Sequence, residues 1–173
     1  MKYQEVEGDL IDLALKGSFD VIAHGCNCQC TMKSGIAIRM AEVFSCDKFT
    51  LEHNNFKGDI NKLGQIEWRN YSINNNKPNM LRFPSMENKI DLFVINCYTQ
   101  FMYGKNHIDG LTKPIDYEAL ILCMRKINFE FKDKHIGLPM IGAGLAGGDW
   151  EKIKEIIKKE LYDCNITIVI FKQ

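Results

Sequence analysis

The segment His24-Gly25-Cys26-Asn27-Cys28-Gln29-Cys30 gathers an imidazole, a side-chain amide and three thiols into seven residues. Groups of these types can move protons, attack as nucleophiles or ligate metal ions. The Cys-x-Cys-x-Cys spacing does not suit zinc, whose paired cysteines usually stand roughly two to four residues apart. A nucleophilic cysteine with His24 nearby has no third orienting group that the sequence can name, so small loop residues are the simpler reading of the thiols. His24 stands on an otherwise apolar run. It is either a core histidine with one satisfied hydrogen bond or a proton-transfer group at a strand end, three residues before Asn27.

A second candidate is the loop Gly142-Ala143-Gly144-Leu145-Ala146-Gly147-Gly148, followed by Asp149. Small residues let an anion approach the main chain, whose N–H groups can bind phosphate without a basic side chain. A tight turn with no ligand is the competing reading. The loop lacks the Gly-Lys-Ser/Thr ending of a P-loop. It matches the GxGxxG spacing, but it lies near the C-terminus with no acidic residue about 20 positions downstream on a second strand. Asp149 either caps the following helix or orients a water or sugar hydroxyl. Lys33 and Arg39 could meet phosphate, with solvation as the default for both.

These residues need elements to position them. Lys2 to Val6 reads as a first strand, and Asp9 as the cap of a short helix carrying Leu10, Ile11, Leu13, Ala14 and Leu15. Phe19 to Cys26 and Asp91 to Tyr98 are apolar almost throughout, as strands buried on both faces are. Gly35 to Phe44, Tyr117 to Phe131 (capped by Asp116) and the segment after Asp149 have helical spacing. The last of these has the apolar face Trp150, Ile153, Ile156, Ile157 and Leu161. Leu63 to Trp68, His135 to Pro139 and Ile166 to Phe171 complete the strands. Asn70 to Asn79, with Pro78, reads as a turn or surface loop. Thr99 to Asp116 reads as a long loop that could act as a lid, with Tyr103 as contact and Gly104 as hinge. Strands alternate with helices, without repeat or linker, which predicts one layered α/β domain. In such folds ligands sit at the carboxyl ends of the strands. That places Gly8-Asp9-Leu10, His24 to Ile36, Tyr98 to Gly104 and Ile141 to Asp149 together.

Composition sets the outer bounds. The chain of 173 residues has 22 basic and 22 acidic side chains, so bulk charge does not hold it to nucleic acid. Only four prolines and 46% hydrophobic residues exclude a disordered chain. No apolar run approaches the roughly 18–20 residues of a membrane span. The charged start and the odd count of seven cysteines suggest reduced thiols in a cytoplasmic protein.

Taken in order, these loops resemble the macrodomain family, whose members bind ADP-ribose. Gly8-Asp9-Leu10 is similar to its early Gly-Asp-Ile/Leu motif. Val21 to Asn27 followed by Ser34-Gly35-Ile36-Ala37 is similar to its strand, asparagine and first glycine loop. Leu138 to Leu145 is similar to its second phosphate loop, with Trp150 just beyond. The His-x-Cys-Asn-Cys wording is nearest a subgroup holding the ADP-ribose 1''-phosphate phosphatase, close to the terminal ADP-ribose glycohydrolase. The resemblance implies a three-layer α/β/α fold with a mixed central sheet over residues 1–173.

It also implies roles. Asp9 would accept from the adenine amino group, with the Leu10 amide close by. Asn27 would hold the distal ribose. Ser34, Gly35 and Ile36 would pass over the diphosphate, with Gly142, Ala143, Gly144, Leu145 and Ala146 cradling it from the other side. Thr99 and Phe171 would meet the ligand's edges. For catalysis the resemblance points to His24 as acid, base or phosphate stabiliser, Asn27 as ribose positioner and Asp149 as water orienter. It implies hydrolysis of ADP-ribose 1''-phosphate to ADP-ribose and phosphate by a monomer, without metal or other cofactor. The alternatives are a reader of free or protein-linked ADP-ribose, a hydrolase freeing ADP-ribose from modified protein or nucleic acid, and a structural or nucleic-acid-interaction domain. A lysine-adduct glycohydrolase does not fit. Gln100 stands where that subgroup has its lysine, and Ala146 where it has an aspartate.

Overall fold

The computed structural model describes residues 2–53, 57–74, 77–81, 91–104 and 113–172. The elements in chain order are β1 (Tyr3–Glu7), α1 (Leu10–Leu15), β2 (Val21–Asn27), α2 (Ile36–Phe44), two 3₁₀ segments (Cys46–His53 and Ile60–Lys62), β3 (Ile66–Asn74), β4 (Lys77–Leu81), β5 (Asp91–Gln100), α3 (Tyr117–Glu130), β6 (His135–Leu138), α4 (Trp150–Glu160) and β7 (Asn165–Ile170). The strands form one seven-stranded sheet in the order β1-β7-β6-β2-β5-β3-β4. Pairing is parallel from β1 through β5, while β3 runs antiparallel to both β5 and β4. The sheet is therefore mixed, with helices on both faces, as expected.

The two faces are built by the two-residue period of the strands. Val21 and Ala23 of β2, Ile95 and Cys97 of β5, and Ile166 and Ile168 of β7 enter one core with Leu120, Met124 and Ile127 of α3 and Ile153 and Ile157 of α4. Their alternate neighbours Ile22, Leu92, Val94 and Val169 enter the opposite core with Leu10, Ile11 and Ala14 of α1 and Met40 and Phe44 of α2. Burial on both faces explains why these strands read as continuous apolar runs.

The stretch from Asn70 to Asn79 differs from the expected loop in its described residues, with 75–76 outside them. Asn70–Asn74 completes β3 and Lys77–Asn79 opens β4, an antiparallel pair in which Ile73 faces Pro78. Tyr71, Ser72 and Ile73 are buried, with Tyr71 donating to the Phe44 carbonyl. Asparagine and proline signal turns, but β4 is the outermost strand, where a proline without an N–H is tolerated. The stretch from Thr99 to Asp116 also begins as strand, since β5 runs to Gln100, and Gln100 then bridges to Ile115. The centre of that stretch, 105–112, lies outside the described residues. No helix among the described residues is long and apolar enough to cross a membrane.

Candidate functional site

The parallel strands β1, β7, β6, β2 and β5 end on one side of the sheet, and the segments leaving them line a groove there. The groove has two cavities. One, of about 430 Å³, is lined by Asp9, Leu10, Arg39, Val169 and Phe171. The other, of about 180 Å³, is lined by Gly25, Asn27, Thr31, Ser34, Thr99, Gln100 and Tyr103, together with Ile141, Gly142, Gly144, Leu145 and Ala146. Gly35, Ile36, Pro139 and Met140 line both and so form the neck between them.

The neck is made of main chain. Gly35 stands at the N-terminus of α2 with φ +56 and ψ −147, and no side chain caps that end. The first-turn amides of α2 are therefore open, at the positive end of the helix dipole. In the lining of the smaller cavity, Gly142 has φ +76, and a Cβ there would fall 2.7 Å from Ile115 Cδ1. Glycine takes this left-handed turn without strain and leaves room for Ile115 of the β5–α3 connection. The loop is tied internally by the Gly147 amide to the Gly144 carbonyl and by the Gly148 amide to the Gly142 carbonyl. The amides of Gly142, Gly144, Leu145 and Ala146 find no acceptor among the described residues. Both segments with unpaired N–H groups line the smaller cavity.

At the larger cavity, Asp9 caps α1, its Oδ1 accepting from the amides of Ile11 (2.9 Å) and Asp12 (3.0 Å). Its Oδ2 accepts from Arg39, whose other terminal nitrogen donates to Asp12 at 3.0 Å. Arg39 is therefore not a free phosphate cation. Leu10 lies beneath the cavity as the first residue of α1.

At the smaller cavity, the Asn27 amide closes the cysteine loop. Its Nδ2 donates to the Thr31 carbonyl at 2.8 Å and its Oδ1 accepts from the Thr31 amide at 3.1 Å. One N–H and one lone pair remain for a ligand. Thr99 is fully buried, and its Oγ1 has no partner among the described residues. The hydroxyl sits beneath Gly25, where a Cβ would approach it to 3.0 Å. Gly25 and Thr99 depend on each other in this way, and sequence reasoning did not find the pair.

Two expected catalytic groups are elsewhere. His24 does not line the groove. The alternation of β2 turns it to the α2 face, and its position three residues before Asn27 sets it about 10 Å below the strand end. Its Nε2 is 2.9 Å from Asn96 Oδ1, while Asn96 Nδ2 donates to the Cys46 carbonyl. Asn96 Oδ1 must therefore accept, so Nε2 carries the ring hydrogen. Burial lowers the His24 pKa to about 4, against the opposing pull of the Asn96 bond. A neutral, enclosed imidazole is the core histidine of the simpler reading.

Asp149 is likewise off the groove. Its Oδ1 accepts from the amides of Glu151 (2.9 Å) and Lys152 (3.4 Å), and its own amide donates to the Tyr117 hydroxyl. Capping uses its carboxylate.

All seven cysteines are free and buried. Burial raises the Cys26 thiol well above its ordinary pKa and takes Cys28 to about 12, so neither is a thiolate near neutrality. Among the described residues no group of three or more His, Cys, Asp or Glu could hold a metal ion. No carboxylate, imidazole or amine among them lines the smaller cavity.

Comparison with known proteins agrees with this architecture. No family model matches the chain. An uncharacterized 17.5 kDa protein from the tk-vs intergenic region of Enterobacteria phage T4 is 32% identical over 174 residues, spanning 95% of this chain and 92% of that protein. Among solved structures, Thermosipho africanus DarTG in complex with ADP-ribose superposes with a TM-score of 0.66 at 15% identity, over 98% of this chain and 42% of that one. The macrodomain of Thermus aquaticus DarG superposes with a TM-score of 0.61 at 17% identity, over 99% of this chain and 98% of that one.

Proposed function

The chain belongs to the same family as the phage T4 17.5 kDa protein and has the macrodomain fold, and from that premise we propose that it recognises ADP-ribose or a derivative in the groove. The observation that carries the reading is the neck. Two cavities of different character meet at Gly35, Ile36, Pro139 and Met140, where the uncapped start of α2 lies, and the unpaired amides of Gly142, Gly144, Leu145 and Ala146 belong to residues lining the smaller cavity beside it. A diphosphate there would be bound by main-chain dipoles, with no cation required. Gly35, Ile36, Gly142, Gly144, Leu145 and Ala146 supply that seat, with Ser34 on its rim, while the expected Ala143 amide already donates to the Met140 carbonyl. The larger cavity would take the adenine, its amino group donating to Asp9 and its ring lying near Phe171. The smaller cavity would take the distal ribose, beside Asn27 and Thr99. Calorimetric titration with ADP-ribose tests this, and no binding of ADP-ribose or ADP would refute it.

Hydrolysis of ADP-ribose 1''-phosphate is the second reading. The observation favouring it is the unpartnered Thr99 hydroxyl at the ribose end, beside the spare capacity of Asn27. Together they would hold a water or a phosphate oxygen for displacement at phosphorus. That chemistry would run without His24 or Asp149, neither of which lines the cavity. Phosphate release from ADP-ribose 1''-phosphate separates this reading from a reader of ADP-ribose. Release of ADP-ribose from modified protein or nucleic acid would instead indicate a de-ADP-ribosylating enzyme.

A further inference from the structure

We infer that Arg39 is a specificity-determining residue that reads the base, presenting a hydrogen-bond donor beside the Asp9 acceptor. The inference rests on the ADP-ribose reading of the groove and extends it to a residue outside the phosphate loops. In the larger cavity the lining is Leu10, Ile11, Ile36, Pro139, Met140, Val169 and Phe171, apart from Gly35 and the Asp9–Arg39 pair. Asp9 and Arg39 are thus its only polar side chains among the described residues. An apolar slot with a few fixed polar groups orients its ligand through those groups.

The pair is already set before a ligand arrives. Arg39 reaches Asp9 with one terminal nitrogen and Asp12 with the other, so two carboxylates of the α1 turn hold the guanidinium plane. A guanidinium has five N–H donors in a rigid fork, and two are used here. Asp9 uses Oδ1 for the helix cap and one position on Oδ2 for Arg39, which leaves Oδ2 able to accept once more. The edge offered is one acceptor next to one donor. An aminopurine matches it, giving an exocyclic N–H to Asp9 and presenting a ring nitrogen to Arg39. The Asp9 side chain alone selects only the amino group; the Leu10 amide, without an acceptor among the described residues, is the competing donor for a ring nitrogen, and a difference between analogues that persists without Arg39 assigns that contact to it. The two flanking carboxylates disfavour a phosphate at Arg39.

The test uses ADP and its 7-deaza and 1-deaza analogues, each lacking one ring nitrogen, titrated calorimetrically into the wild type, Arg39→Ala and Arg39→Lys. In the wild type, one of the two analogues binds about tenfold more weakly than ADP. In Arg39→Ala that difference disappears, and in Arg39→Lys it is not restored, because an ammonium lacks the planar fork. Unchanged thermal melting of the variants separates specificity from folding, as expected for an exposed ion pair. Wild-type binding with equal losses in all three proteins, or with no loss for either analogue, overturns this inference alone. No ADP or ADP-ribose binding by the wild type overturns the proposed function and this inference with it.

Discussion

His24 and Asn96 lie opposite each other on the adjacent parallel strands β2 and β5, with His24 Nε2 2.9 Å from Asn96 Oδ1. The bond joins two core strands below the groove, while burial, against the pull of that bond, keeps the imidazole in its neutral form. A residue that looks catalytic in the sequence is therefore a structural tie, and its titration is a property of the fold.

That tie predicts acid sensitivity. The folded His24 pKa is lowered to about 4, against about 6.5 in an unfolded chain. Between those values the unfolded state binds the extra proton, so stability rises with pH across the window. His24 then favours unfolding by up to roughly 3 kcal/mol as pH falls from about 6.5 toward 4. Replacing it by glutamine keeps a partner for Asn96 and removes the titration. Urea unfolding at several pH values should show a steeper loss of stability in the wild type than in His24→Gln. ADP-ribose affinity near neutral pH should stay within about twofold. Parallel stability profiles would mean that His24 titrates alike in the folded and unfolded states.

Asp149 gives a second separation of structure from chemistry. Its carboxylate accepts from the Glu151 and Lys152 amides and does not line either cavity. Asp149→Ala should cost about 1 kcal/mol as a lost N-cap. In a chain of this size that lowers the melting temperature by about 2–4 °C. Ligand binding and any phosphate release should persist. A large loss of turnover with an unchanged melting point would return Asp149 to the reaction.

Much of this arrangement was legible in the sequence, and the rest failed for identifiable reasons. Asp9, Asp116 and Asp149 read correctly as caps because capping is local: the acceptor and the amides it serves lie within three residues. The buried parallel strands were legible from their apolar runs. Those same runs hid which side of β2 His24 takes, because neither face of the strand is polar. Asn70 to Asn79 read as a loop because turn residues dominate it, yet pairing with β5 on one side and β4 on the other overrides that local signal. The Arg39–Asp9 pair spans 30 residues and the Thr99–Gly25 contact spans two strands. No spacing rule links such positions, and only the sheet order brings them together.

Gly142 should tolerate no side chain. Its φ of +76 is strained for an L residue, and an added Cβ would lie 2.7 Å from Ile115 Cδ1. Gly142→Ala should destabilise the fold by about 1–3 kcal/mol. It should also turn the loop amides from the smaller cavity, weakening ADP-ribose binding by about tenfold or more. Chemical denaturation and calorimetry on the same preparation read both effects. Wild-type affinity in this variant would mean that the loop does not seat the diphosphate.

Thr99 provides the sharpest contrast between stability and binding. Its hydroxyl is buried without a partner among the described residues, which is unfavourable in the free protein. Thr99→Val keeps the branched shape and removes that unpaired group. Stability should therefore stay level or rise by up to about 1 kcal/mol. If the hydroxyl is held for a ligand or its bound water, ADP-ribose affinity should fall by about tenfold over the same change, while ADP, which lacks the distal ribose, should bind as before. Urea unfolding and paired titrations with the two nucleotides decide the matter. A loss of stability would mean that Thr99 has a protein or water partner in the free state. An equal loss for both nucleotides would move its role away from the ribose.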